Sequence, residues 1–341
     1  MHTVQEIAAH IKTLQGKRVL VASHVNPDGD AIGSATAFAL MAEAQGAEVR
    51  LLLVSGLPQE FCWLHMPWPI AKKLEDLGSF VPEGLIVVDC GDASRCGPEL
   101  EAFFTRGGLP APGWKNAVSF NIDHHVNNPL FATYNLVEPE RAATAELAGL
   151  VARELGMDFS GPLGESLFAG LVTDTGNFTF TNTTSEVLAM TADIVAAGLD
   201  VGRTIAKIEN RWSIERMHLW GYLMSNVQVH AGGAVASTVL HQDEMARFSA
   251  TSNDLEGYAS FMRHLDGLQV SILIRERKPD KSKLSLRSVG DIDVQRIASH
   301  FGGGGHKAAA GADVDVPPTV LCQQVLDRLR AEYPEIFAEK M

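Results

Sequence analysis

Cysteine is scarce in this sequence. Cys62, Cys90, Cys96 and Cys322 are the only four in 341 residues, and no two of them form a C-x-x-C pair. That is too few for a disulfide framework and points to a reducing, cytoplasmic setting. Long apolar runs are missing too, so nothing reaches membrane-spanning length. The opening residues, Met1-His2-Thr3-Val4-Gln5-Glu6, lack the basic flank and apolar stretch of a signal peptide. Positive charge is in deficit: 28 Lys and Arg stand against 41 Asp and Glu, a formal net charge of −13. A protein that grips long DNA or RNA by its backbone usually shows a basic surface, and this one shows none globally. Part of the acidic excess is what a bound cation would offset. There is no Walker A sequence, no G-x-S-x-G elbow and no reactive-cysteine signature, which argues against ATP hydrolysis and against a protein nucleophile. What remains is an ordinary globular composition, 46% hydrophobic and 20% charged, long enough to suggest two domains.

Along the chain, Arg18-Val19-Leu20-Val21-Ala22-Ser23 reads as a short buried strand. A turn-prone segment follows, then a helix over 31–44 and a strand over 49–54. This order points to a parallel sheet and an α/β fold. Further strands are expected at 85–88 and 117–122, with helices near 143–155, 164–173 and 185–197. Thr183 and Glu186 have the spacing of a capping box for the last of these. Residues 200–225 look helical and highly charged and are expected to connect the domains. The division is therefore 1–199, a helical linker over 200–225, and 226–341. In the last part, strands are expected at 234–240, 268–275 and 283–288, with helices between and after them. Neither internal repeats nor low-complexity stretches occur.

Four clusters carry chemistry. The first is His24-x-x-x-Asp28-x-Asp30. In a helix His24 and Asp28 would share a face, but Asn26-Pro27-Asp28-Gly29 is turn chemistry, so the cluster sits on a loop leaving a strand. By itself it could be a helix cap at Asp30 plus a solvated turn. The second is Asp89-Cys90-Gly91-Asp92 and the third is Asp123-His124-His125, each directly after a strand. Ligands of open α/β sheets bind beyond the carboxyl ends of the strands, so the three segments deliver carboxylates and imidazoles to one edge. The fourth is Thr173-Asp174-Thr175-Gly176, after a buried helix, where Asp174 supplies a further carboxylate. Singly, each has a bland explanation in a turn or cap. Together they suit manganese, zinc or iron.

These motifs resemble those of the DHH phosphoesterase family, and they stand in that family's order. Later, Phe301-Gly302-Gly303-Gly304-Gly305-His306 followed by Lys307-Ala308-Ala309-Ala310-Gly311 is similar to the Gly-Gly-Gly-His motif of the family's associated C-terminal domain. The likeness runs from about residue 15 to about 335, and the two-domain layout is most similar to the NrnA-like branch. It implies a parallel-sheet catalytic domain, a smaller α/β substrate-binding domain and an active site in the cleft between them. It implies two manganese ions, other divalent metals being possible, with His24 and Asp28 on one and Asp30, His124 and Asp174 on the other. Asp89 would bridge them, Asp123 would orient a histidine, and His125 would face the scissile phosphate as proton donor or electrostatic contact.

The implied activity is two-metal activation of a water. The enzyme would hydrolyse short RNA or DNA oligonucleotides to mononucleotides and dephosphorylate 3′-phosphoadenosine 5′-phosphate (pAp). Linear or cyclic dinucleotides are the alternative substrates, and a silent nucleotide-binding sensor is the alternative class. A homodimer is compatible with the resemblance; a membrane partner is not expected. Ser285-Leu286-Arg287-Ser288 resembles the family's substrate strand, with Arg287 and Ser288 on a phosphate. Backbone N–H groups at Gly304 and Gly305 can approach an anion closely, with His306 beside them. Arg95 is either a further substrate contact or a surface residue. The basic run over 278–283 reads as a solvated hairpin tip.

Overall fold

The computed structural model describes residues 1–106, 114, 117–209 and 212–338. The chain divides into two compact units, Met1–Arg211 and Trp212–Met341.

The first unit is built on six strands: β1 (Arg18–Ala22), β2 (Glu48–Leu52), β3 (Ile70–Ala71), β4 (Gly84–Val88), β5 (Val118–Asp123) and β6 (Tyr134–Val137). Their order is β3-β2-β1-β4-β5-β6, and every neighbouring pair is parallel. Such sheets are covered on both faces, so their strands are apolar throughout. Gly84-Leu85-Ile86-Val87-Val88, buried at every position, is the clearest case. The chain winds outward from β1 to β3, then returns to place β4 on the other side of β1. That reversal opens a crevice at the carboxyl ends of β1 and β4.

The helices of this unit are α1 (Val4–Lys12), α2 (Gly29–Ala44), α3 (Pro98–Arg106), α4 (Thr144–Glu154), α5 (Gly161–Asp174), α6 (Ser185–Ala196) and α7 (Val201–Glu209). One face of the sheet packs on α1, α2, α4 and α5 through Ile7, Phe38, Leu147 and Phe168. The other packs on Leu100 and Phe103 of α3 and on Trp114. Helix α2 is buried along most of its length, which suits its Ala-rich sequence. It begins earlier than residue 31 because Asp28, not Asp30, is its cap. The capping box expected at Thr183 and Glu186 is also displaced: Thr184 caps α6 and accepts from the Val187 N–H.

The second unit contains α8 (Ile214–Ser225), β7 (Gln228–His230), β8 (Val235–Leu240), α9 (Gln242–Arg247), α10 (Tyr258–Phe261), β9 (Val270–Lys278), β10 (Lys281–Ser288), α11 (Val294–His300), β11 (Gly304–His306), β12 (Ala309–Val314), α12 (Pro318–Glu332) and α13 (Pro334–Phe337). Its sheet is mixed, with order β11-β12-β10-β9-β8-β7. Only the β8–β9 pair is parallel. Strand β10 alternates buried and half-exposed residues, placing Leu284 and Leu286 under α11 and α12. The stretch 200–225 is not one helix. Helix α7 ends at Glu209, and Ser213 caps α8 in the second unit. Among the described residues no helix is long and apolar enough to cross a membrane.

Candidate metal centre

The crevice at the carboxyl ends of β1, β4 and β5 gathers the expected side chains of the first unit. His24 follows β1, and its Nδ1–H donates to the Val25 carbonyl at 3.0 Å. Asp28 caps α2, its Oδ1 accepting from the Asp30 and Ala31 N–H groups at 3.1 Å. That leaves Oδ2 for other work. Asp89 ends the turn out of β4 with φ +53°, a left-handed conformation that costs a non-glycine residue energy and is common where function demands it. Asp123 closes β5, His124 and His125 follow it, and Asp174 is the last residue of α5.

Two glycine contacts let α2 and α5 come close enough for this. A Cβ on Gly33 would lie 2.4 Å from the Ser166 carbonyl, and one on Gly170 would lie 2.5 Å from the Ala145 Cβ and 2.8 Å from Asp30 Oδ1.

Three groups of donor atoms result, each within 4.8 Å of one another: His24, Asp28 and Asp89; Asp30, His124 and Asp174; and Asp89, His124 and His125. His124 Nε2 stands 3.3 Å from Asp174 Oδ2, 3.6 Å from Asp89 Oδ1 and 3.9 Å from Asp30 Oδ2. His24 Nε2 is 3.5 Å from Asp89 Oδ2 and makes no hydrogen bond although it is buried. With its proton on Nδ1, this nitrogen turns a lone pair toward carboxylate oxygens. A cation between them satisfies both, so the donor set is positioned for metal binding.

The electrostatics agree. Burial, reinforced by the charges of Asp89, Asp174 and Asp28, pushes Asp30 well above the usual carboxylate range. Burial lifts Asp174 to about 6, with His124 opposing and Asp89 adding to the shift. The hydrogen bond to Asp123 raises His125 above the ordinary imidazole range.

Several supporting residues give no sign in the sequence. The amino end of α4 is aimed at Asp30: the Thr144 N–H donates to Oδ2 at 2.6 Å and the Ala145 N–H to Oδ1 at 2.8 Å. The Thr144 hydroxyl donates to Asp89 Oδ1 at 3.1 Å. His124 Nδ1 donates to the Arg141 carbonyl at 3.2 Å, which turns Nε2 to the carboxylates. Arg141 is itself held by Glu138 and by the buried Glu146. Asp123, fully buried, accepts from His125 Nδ1 at 2.7 Å. Gly91 lies under that ring, where a Cβ would come within 2.8 Å of the His125 Cβ. Arg95 reaches the same ring, its Nη1 3.3 Å from His125 Nε2.

In the second unit the picture is mixed. Arg287 is half-buried and donates to Ser260 Oγ at 3.1 Å and the Leu286 carbonyl at 2.9 Å, with no carboxylate partner among the described residues. Ser288 is buried, and its hydroxyl is committed to the Ile292 and Lys307 carbonyls, so it has no free donor for a phosphate. Gly303 and Gly305 are required by close backbone packing on β12, whereas the Cβ side of Gly304 faces open space. The side chain of His306 lies outside the described residues. The basic hairpin is partly neutralised: Lys281 pairs with Asp315, and Arg277 and Lys283 pair with Asp313.

A reversing parallel sheet with this donor set at its crevice is the arrangement of one class of hydrolase. A model of the DHH family, N-terminal domain, matches residues 18–174, from the first residue of β1 to the last ligand-type carboxylate. A model of the DHHA1 domain matches residues 230–339. The chain is thus a phosphoesterase of the DHH class. The bifunctional oligoribonuclease and PAP phosphatase NrnA of Thermus thermophilus is 32% identical to it over 308 residues, covering 90% of this chain and 86% of that protein. The protein of the same description from Bacillus subtilis is 22% identical over 300 residues, covering 87% and 89%. The crystal structure of an exopolyphosphatase-related protein from Bacteroides fragilis has the same fold, with a TM-score of 0.83, 24% identity, and coverage of 96% and 97%. Within its class, the chain belongs to the NrnA family.

Proposed function

We propose that this protein is a manganese-dependent phosphodiesterase of the cytoplasm that releases mononucleotides from short oligonucleotides and also dephosphorylates pAp. The observation that carries the reading is the pair of adjoining donor groups, His24–Asp28–Asp89 and Asp30–His124–Asp174, with only 3.6 Å between Asp89 Oδ1 and His124 Nε2. One cation would be held by the first group and a second by the other, with Asp89 between them. Mixed imidazole and carboxylate donors suit manganese. Bound there, the two cations supply Lewis acidity at the phosphoryl oxygens and lower the pKa of the attacking water.

The protein's own groups do the rest. Asp123 accepts the Nδ1–H of His125, so Nε2 faces outward, where it accepts from Arg95 Nη1; once the ring takes up a proton, Nε2 becomes a donor for a phosphoryl oxygen. Thr144 and the amino end of α4 hold Asp89 and Asp30 against their mutual repulsion. Arg287, a half-buried guanidinium with no carboxylate partner among the described residues, would offer a substrate phosphate its Nη2, since Nε and Nη1 already donate to Ser260 and to the Leu286 carbonyl. The names of the Thermus and Bacillus relatives support the substrate class, and a net charge of −13 favours short substrates over long duplexes.

The test is a product time course with purified protein and manganese, beside an EDTA control. The substrates are 5′-phosphorylated RNAs from dinucleotide to long oligomer, a cyclic dinucleotide, pAp and pyrophosphate. Metal-dependent release of mononucleotides, fastest on the shortest RNAs, is expected. Hydrolysis confined to the cyclic dinucleotide or to pyrophosphate would replace the substrate. No hydrolysis with nucleotide still bound would overturn the enzyme reading.

A further inference from the structure

Asp123 has two carboxylate oxygens, and His125 uses one. The other, Oδ2, accepts from Asn128 Nδ2 at 2.6 Å. The orientation of the Asn128 amide is fixed by its surroundings. Its Oδ1 accepts from the Leu130 N–H at 2.8 Å, so the opposite end must be the NH2. That NH2 faces three acceptors: Asp123 Oδ2, Asn121 Oδ1 at 2.7 Å and the Cys90 carbonyl at 3.3 Å. Asn121, fully buried, passes its own NH2 to the same Cys90 carbonyl at 3.3 Å. Cys90 directly follows Asp89. One side chain therefore ties the loop after β5 to the loop after β4.

The backbone beside it supports the same view. Leu130 has φ +60°, a left-handed conformation that a bulky residue rarely adopts. The Asn128 side chain closes the turn over it. Strain held in place beside a reactive centre is an observation in search of a purpose. Here its effect is to aim the Asn128 amide at Asp123.

We propose that Asn128 is a positioning residue for phosphoester hydrolysis, acting on the reaction through Asp123 and His125. Its amide, bound to Oδ2, sets the plane of the Asp123 carboxylate, whose Oδ1 is then aimed at the Nδ1–H of His125. The ring is thereby held in one tautomer and one orientation, with Nε2 toward the phosphate. The proposal rests on the role given to His125 above. It differs from a purely structural part for Asn128, in which the residue merely closes the turn.

The experiment is a mutant cycle read as separate kcat and KM on a 5′-phosphorylated RNA dinucleotide, with manganese binding followed by calorimetry. Asn128→Ala is expected to lower kcat by about 10- to 100-fold, the usual effect of removing a partner that orients a site residue. KM and manganese affinity should stay within about two-fold, because His125 is assigned neither to the two cation groups nor to ground-state binding but to charge that develops in the transition state. In a His125→Ala background the same substitution should cost almost nothing more, since the two act in series.

Leu130→Gly separates the two roles, because glycine accepts the left-handed turn without help. Asn128→Ala/Leu130→Gly should remain as slow as Asn128→Ala while regaining its thermal stability. The proposal is overturned if Leu130→Gly restores kcat, if Asn128→Ala costs the same factor with and without His125, or if manganese affinity falls in step with kcat. If the wild-type protein hydrolyses neither the dinucleotide nor bis(p-nitrophenyl) phosphate, the activity reading fails instead. Histidine 15N spectra of the metal-free protein then judge Asn128 alone. Retention of the Nδ1–H tautomer of His125 in Asn128→Ala would refute the inference, and its loss would support it.

Discussion

Single side chains divide into those the sequence announces and those it hides. His24, Asp89 and Asp174 stand out because an acid or imidazole directly after a buried apolar run has few other uses. Thr144 does not stand out. Ala142-Ala143-Thr144-Ala145-Glu146 reads as an ordinary helix start, and the partner of its hydroxyl lies 55 residues away in the chain. Thr144→Val keeps the shape and the N–H to Asp30 but removes the donor to Asp89. We expect manganese affinity to fall by about 10- to 100-fold with little change in melting temperature, which calorimetry would show. Ser288 illustrates the opposite error: a plausible ligand by pattern, but turned inward by the tight loop it closes.

Proton linkage also belongs to single groups. The folded-state value of Asp174 is raised to about 6 from an ordinary 3.8. This carboxyl therefore favours the metal-free fold at low pH, and that contribution is lost as pH rises through about 6. A metal must displace the proton below that point. Affinity should fall as pH drops from about 6 toward 5 and be insensitive to this group above 7. Titrations in buffers of different ionisation enthalpy would count the proton released.

The long elements of the first unit follow from local pattern. Strands β1 and β4 and helices α2, α4 and α5 coincide with apolar runs and periodicities, to within a few residues. The short ones do not. Strand β6 has four residues, and β12 is Ala-Ala-Gly-Ala-Asp-Val, a poor strand by propensity that exists because β10 and β11 pair with it. The close approach of α2 to α5 was equally hidden, since glycine in a helix looks locally like a weakness. Two substitutions expose the difference. Gly170→Ala places a methyl against Ala145 and Asp30 and should cost roughly 1–3 kcal/mol of stability, with metal affinity lowered as Asp30 shifts. Gly221→Ala, in α8 with open space around it, should raise stability by roughly 0.5–1 kcal/mol. Chemical denaturation of both variants would check the signs.

For the molecule as a whole, length pointed to two domains and composition gave the acidic balance. It did not show which unit a cation would stabilise. The three donor groups found among the described residues lie in Met1–Arg211, so binding free energy accrues there. Manganese should increase hydrogen-exchange protection in peptides spanning 18–174 while leaving those of 230–338 nearly unchanged. Equal protection of both units would show that they unfold as one.

The position of Asp174 at the end of α5 has a consequence for the order of events during synthesis. The site's residues enter the world in sequence, His24 first and Asp174 last, with the amino end of α4 arriving between. A nascent chain ending before α5 would expose an incomplete set of donors. One donor group, His24–Asp28–Asp89, is complete by then, whereas the other waits for Asp174. Occupancy of that second group would report that α5 has docked, which makes it a checkpoint on late assembly of the first unit.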